Sequence, residues 1–177
     1  DVMRHRAGLS HLRGVRKREL LDHRHMEERI AAAPVGRHFG KSAYHALTYG
    51  WLLSGLARSV TGKGMRQLIR QEVAKPLNTD GVHLGRPPVG SPTHAARFVG
   101  SQMNIPNPVF NALAPAVAGL ELSAAFGSMY FPGAKKLIQR DVPLLDTELP
   151  SANGVITARG LARMYGAIAN GGMIDGR

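Results

Sequence analysis

The chain of 177 residues has no cysteine. That excludes a disulfide framework, a thiolate zinc site and a cysteine nucleophile. It leaves the compartment open, because a thiol-free chain is stable in any redox environment. No run of 18 apolar residues occurs, so no segment reads as a membrane-spanning helix. Residues 1–10 also lack the apolar stretch of a signal peptide. Aromatics are sparse, at 6% with one tryptophan. Nucleophile signatures are missing too: there is no Gly-x-Ser-x-Gly, no Ser-x-x-Lys and no Lys-Thr-Gly. There is no His-Glu-x-x-His, and His23 and His25, two apart on a helix, point to different faces. Thr61-Gly62-Lys63-Gly64 lacks the glycine-rich approach of a phosphate loop. No metal or cofactor is therefore expected.

What is present describes a folded chain. It is 44% hydrophobic and 20% charged, enough apolar matter for a core. The net charge is +11, and most of it lies in residues 1–75, largely as arginine. A basic half raises the idea of a module that docks anionic lipid or nucleic acid. Single-strand binding would want aromatic platforms between the charges. Residues 1–38 have none besides histidine. A solvated arginine-rich surface is the simpler reading, and nucleic acid is not an expected partner. Peripheral membrane or cell-envelope association is compatible with the charge but not required by it.

Periodicity predicts a helix over 16–33, with Leu20, Leu21, Met26 and Ile30 inward and Glu19, Glu27, Glu28 and Arg29 outward. Pro34 stops it. A largely apolar helix is predicted over 45–60 (Leu47, Trp51, Leu52, Leu56, Val60), packed inside the core and closed by Gly62 in the left-handed conformation. A third covers 64–74 and stops before Pro76. Val82–Leu84 reads as a short strand and 85–107 as loop. An apolar helix is predicted over 109–126, kinked or divided at Pro115. Residues 128–152 read as loop. A last helix over 157–169 takes Thr157 as its N-cap, buries Leu161, Met164, Tyr165 and Ile168, and ends at Gly171-Gly172.

Three stretches, in this order, resemble the serine β-lactamase-like hydrolases: class C β-lactamases, penicillin-binding proteins and carboxylesterases of the same fold. The first is His5-Arg6-Ala7-Gly8-Leu9, similar to the family's His-x-(Ser/Ala)-Gly-Leu turn. The second runs from Tyr44-His45-Ala46 through Trp51-Leu52-Leu53, then Val60-Thr61-Gly62-Lys63 and Lys75-Pro76-Leu77, similar to the tyrosine motif and its following helix. The third is Pro150-Ser151-Ala152-Asn153-Gly154, then Thr157–Tyr165 and Ala169-Asn170-Gly171-Gly172. The 85–140 stretch carries little of the resemblance. His38-Phe39-Gly40 spells the family's late His-x-Gly but stands before the tyrosine, and is read as chance.

The resemblance implies an α/β (α+β) serine β-lactamase-like fold, of which residues 1–177 hold mostly the helical domain and little of the antiparallel sheet. It implies a partial hydrolase domain, because the family's Ser-x-x-Lys lies ahead of the His-x-x-Gly-Leu turn and its Lys/His-x-Gly strand follows the last helix. A segment without that serine is expected to be inactive by itself. The activity implied for the whole is acyl transfer to serine, with a small acyl ester as substrate. Tyr44 is the implied catalytic residue, and His45 and Asn153 are candidate substrate contacts. The family's Tyr-x-Asn is here Tyr44-His45-Ala46. Alanine cannot donate the amide's hydrogen bond, which favours an ester over a lactam substrate. A lactam-reactive enzyme is the alternative.

Overall fold

In the computed structural model, the described residues are 1–97, 109, 112–113, 128–129, 137 and 142–174. The expected helix over 109–126 lies almost wholly outside them. The described chain is mostly helical, with a two-stranded antiparallel sheet.

A 3-10 turn, Glu19–Leu21, leads into α1, His23–Ala31. The helix begins later than its apolar pattern suggests because Asp22 caps it. The Asp22 carboxylate accepts from the His25 N–H at 3.0 Å, relieving one of the amides that a helix start leaves unpaired. Met26 and Ile30, one helical turn apart, are both buried. Leu21 stays exposed. Glu27, expected outside, is 5% exposed. Its carboxylate takes Arg58 Nε at 2.9 Å and Arg58 Nη2 at 3.3 Å. A charge on the inner face is tolerable because a partner on the next helix meets it.

That helix is α2, Thr48–Thr61. Gly62 closes it with φ 72° and donates to the Arg58 carbonyl, as expected. The inner face differs from expectation. Thr48, Gly50, Trp51 and Ser54 are buried, whereas Leu56 and Val60 are exposed. The small residues Gly50 and Ser54, four apart, let this face of α2 lie close to its neighbours, and Trp51 fills the space between them. The larger aliphatics mark the opposite side.

α3, Met65–Leu68, passes into a π-helical turn, Ile69–Ala74. β1, Val82–Leu84, pairs with β2, Gly154–Ile156, in the register Val82 with Ile156 and Leu84 with Gly154. Arg66 stitches these parts together, donating to the Leu84 carbonyl at 2.9 Å and to the Thr147 carbonyl at 3.0 Å. The core gathers Leu20, Met26, Ile30, Trp51, Leu137 and Leu149 with their neighbours.

α4, Ala158–Ala169, starts as expected: Thr157 Oγ1 accepts from the Gly160 N–H at 3.0 Å. Its apolar stripe is not buried among the described residues. Leu161 is 39%, Tyr165 61% and Ile168 58% exposed. The buried position is Gly160, where an added Cβ would meet Gly81 Cα at 3.1 Å. A glycine contact, which a hydrophobic pattern does not register, docks this helix.

Candidate active site

The site is built where two segments far apart in sequence meet. Residues 5–9 run beside residues 36–45. The Gly36 N–H donates to the Gly8 carbonyl at 2.8 Å, and the Ala43 N–H to the His5 carbonyl at 3.0 Å. Gly8 has φ 69°, and a Cβ there would lie 2.9 Å from Phe39 Cα. Both the left-handed backbone and the close approach require glycine. Phe39, the middle residue of the His38-Phe39-Gly40 string, thus packs against this turn.

Tyr44 stands just ahead of α2 and is 57% exposed. Its ring lies 5.2 Å from that of His5, tilted by 50°. His5 also packs against His45 at 5.6 Å and Tyr49 at 4.6 Å. The Tyr49 hydroxyl in turn reaches Met3 Sδ at 3.6 Å. Tyr44 thus sits at the edge of a ring cluster with its own ring open to solvent.

His45 points the other way. It is 1% exposed. Its Nε2 accepts from the Leu9 N–H at 3.1 Å, and its Nδ1 meets the Ala43 carbonyl. These partners demand one neutral tautomer, with the proton on Nδ1. Both ring nitrogens are committed to the main chain, so the ring offers no group to a substrate here. Asn153 is likewise inside, at 2% exposure. Its Nδ2 donates to the Leu144 and Thr147 carbonyls, at 2.9 and 2.7 Å, and its Oδ1 accepts from the Leu149 N–H at 3.2 Å. It ties the 3-10 turn Pro143–Asp146 to the residues that follow it. Both residues, expected as substrate contacts, have their polar atoms bonded to the main chain in the structure.

Burial holds the His45 imidazolium at a disadvantage and lowers its pKa below 6.5; the Ala43 carbonyl opposes this, and His5 adds a smaller lowering. The unfolded chain therefore binds this proton more readily than the folded one. Stability from this group is complete above pH 6.5 and declines as the pH falls below it. Urea midpoints measured between pH 7.5 and 5.5 are expected to fall, and His45→Gln should flatten that part of the profile.

The third motif docks next to the tyrosine. Ser151 Oγ donates to the Leu47 carbonyl at 3.0 Å. A Cβ on Gly50 would meet Ser151 N at 2.8 Å and Ser151 Oγ at 2.7 Å. Gly50→Ala is therefore expected to push this loop off the start of α2, costing about 1–3 kcal/mol in chemical unfolding. Wild-type stability in that variant would show that the approach is not needed.

Two cavities lined by described residues, about 410 and 210 Å³, do not include Tyr44 in their walls. Among the described residues no group of three or more His, Asp or Glu is placed to hold a metal. His25 is instead paired with Glu19, at 3.0 Å. The contact between His5 and Tyr44 was not read from the sequence: the two lie 39 positions apart, and no local pattern links them.

The profile of the Beta-lactamase family matches residues 1–176. The chain belongs to the Beta-lactamase family. It is 61% identical over 176 residues to "Esterase/beta-lactamase LipL" of Mycobacterium tuberculosis, covering 99% of this chain and 41% of that protein. Among solved structures it is similar to a penicillin-binding protein homologue from Caulobacter crescentus, with a TM-score of 0.62 and 28% identity over 99% of this chain and 44% of that one. EstA of Arthrobacter nitroguajacolicus shares the fold at a TM-score of 0.62 and 24% identity, over 94% of this chain and 42% of that one. The chain thus spans about two-fifths of the length of these relatives. The fold is serine β-lactamase-like, as its three motifs led one to expect. Among the described residues the chain is mostly helical, with one short antiparallel pair.

Proposed function

We propose that this Beta-lactamase-family chain is the tyrosine-bearing part of a serine hydrolase that cleaves small carboxylic esters through an acyl-serine intermediate. The observation that carries the reading is Tyr44: an exposed phenol held at the surface by bonds to both of its sequence neighbours. A phenol has a pKa near 10 and is a poor base at pH 7. Beside a lysine ammonium its phenolate is favoured. It then takes the proton from the attacking serine and returns it to the leaving alcohol. By family resemblance that serine and lysine belong to a Ser-x-x-Lys outside residues 1–177.

Ester rather than lactam is favoured by Ala46, which has no donor to hold a lactam amide. The lactam-reactive alternative is supported by the names of LipL and of the Caulobacter homologue. The two readings separate in the complete protein. Turnover of p-nitrophenyl acetate without a long-lived adduct from labelled penicillin is the expected result. A stable penicillin adduct with negligible ester turnover would replace the first reading by the second.

A basic docking module draws less support. Several arginines that make the chain cationic are engaged internally: Arg29 with Glu19 at 2.6 Å, Arg58 with Glu27, Arg86 with Asp146 at 2.6 Å, and Arg66 with carbonyls.

A further inference from the structure

We propose that His5 is a positioning residue for Tyr44, acting through a hydrogen bond that its Nδ1 accepts from the residue after the tyrosine. The inference rests on the catalytic reading of Tyr44 and adds a residue to it. His5 holds the tyrosine segment in three ways. Its carbonyl accepts from Ala43 N–H at 3.0 Å, just before the tyrosine. Its Nδ1 accepts from His45 N–H at 3.2 Å, just after it. Its ring packs on the tyrosine ring itself. The N–H groups of Ala43 and His45, one on each side of Tyr44, are thus held by one residue, and the ring contact limits where the phenol swings.

The chemistry requires this histidine to be neutral with its proton on Nε2, because Nδ1 must offer a lone pair. The backbone makes the same point. His5 sits at φ 53°, a left-handed conformation that glycine or asparagine adopts more easily. A residue serving the turn alone has better alternatives, whereas an acceptor carried on a flat ring at this spot is what histidine supplies. The linkage continues through His45, whose Nε2 accepts from Leu9 N–H. The His5–Leu9 turn therefore holds the tyrosine segment at both ends.

The test compares His5→Gly and His5→Asn with wild type in the complete protein, using p-nitrophenyl acetate. Both substitutions suit the left-handed backbone. Only asparagine restores an acceptor near the Nδ1 position. His5→Gly is expected to lower kcat by about tenfold to a hundredfold with little change in KM, the scale expected when a reacting group is misplaced. His5→Asn is expected to recover most of that loss. Equal kcat in His5→Gly and wild type, or equal loss in both variants, would overturn the proposal. Tyr44→Phe is run alongside: if it keeps full turnover, the catalytic reading itself fails, and the positioning role falls with it. Should the variants not fold, the wild-type imidazole ¹⁵N spectrum decides. An Nε2–H tautomer with a hydrogen-bonded Nδ1 is expected, and an Nδ1–H tautomer of His5 would overturn the proposal.

Discussion

Tyr44→Phe in the complete protein is expected to lower kcat/KM for p-nitrophenyl esters by about 10²–10⁴-fold, the usual worth of a positioned acid–base group. That corresponds to roughly 3–5 kcal/mol of transition-state stabilisation. The substitution removes one hydroxyl and leaves the ring. The ring keeps its contact with His5, and the side chain is more than half exposed. A surface change of this kind normally shifts stability by less than about 0.5 kcal/mol. Rate and stability should therefore separate: turnover collapses while the melting temperature stays. Parallel losses in both would mean that the hydroxyl has a structural role.

The largest expected effect on stability is at Arg58. Its guanidinium lies against Glu27, whose side chain is only 4% exposed, and approaches Glu148 at 3.9 Å. The Glu27 hydrogen bond chiefly, against the cost of burial, raises the arginine pKa above its ordinary value. Arg58→Ala removes the cation and leaves the carboxylate inside. Breaking a buried pair in this way costs about 3–5 kcal/mol. Arg24 remains 3.4 Å from the same carboxylate, which places the loss towards the lower end. Its side chain is 53% exposed, so it only partly replaces Arg58. The same argument gives a second arm: Glu27→Leu together with Arg58→Met should recover most of the loss, because an apolar pair leaves no charge stranded. Urea unfolding of the two single variants and the double variant measures this. A loss under about 1 kcal/mol in Arg58→Ala would place the pair among surface ion pairs.

Much of the fold was legible because its signals are local. Gly62 ends α2, Thr157 starts α4, and Val82–Leu84 is a strand, each fixed by residues within a few positions. The errors fall where a distant partner decides. Glu27 reads as an outward charge until Arg58, 31 positions later, meets it. Leu56 and Val60 read as core, yet α2 buries the side bearing Gly50 and Ser54. Periodicity tells which residues share a face but not which face is covered. Likewise the stripe of Leu161, Tyr165 and Ile168 is a real face, while Gly160 makes the close contact.

The site divides in the same way. Tyr44 came from its motif, and the structure leaves its side chain exposed. His45 came from its place beside Tyr44 and Asn153 from the third motif, and neither fact says anything about side-chain direction. Each turned inward because main-chain amides and carbonyls in the folded chain needed partners. Ala46 was legible as a missing donor by inspection alone.

The most direct test of the account is intact-mass spectrometry of the complete protein, quenched within milliseconds of mixing with p-nitrophenyl acetate. The account predicts an acetyl adduct on a serine that forms and decays at rates able to carry turnover, and that forms far more slowly in Tyr44→Phe. Ester turnover with no covalent adduct, or adduct formation at an undiminished rate without the Tyr44 hydroxyl, would contradict it.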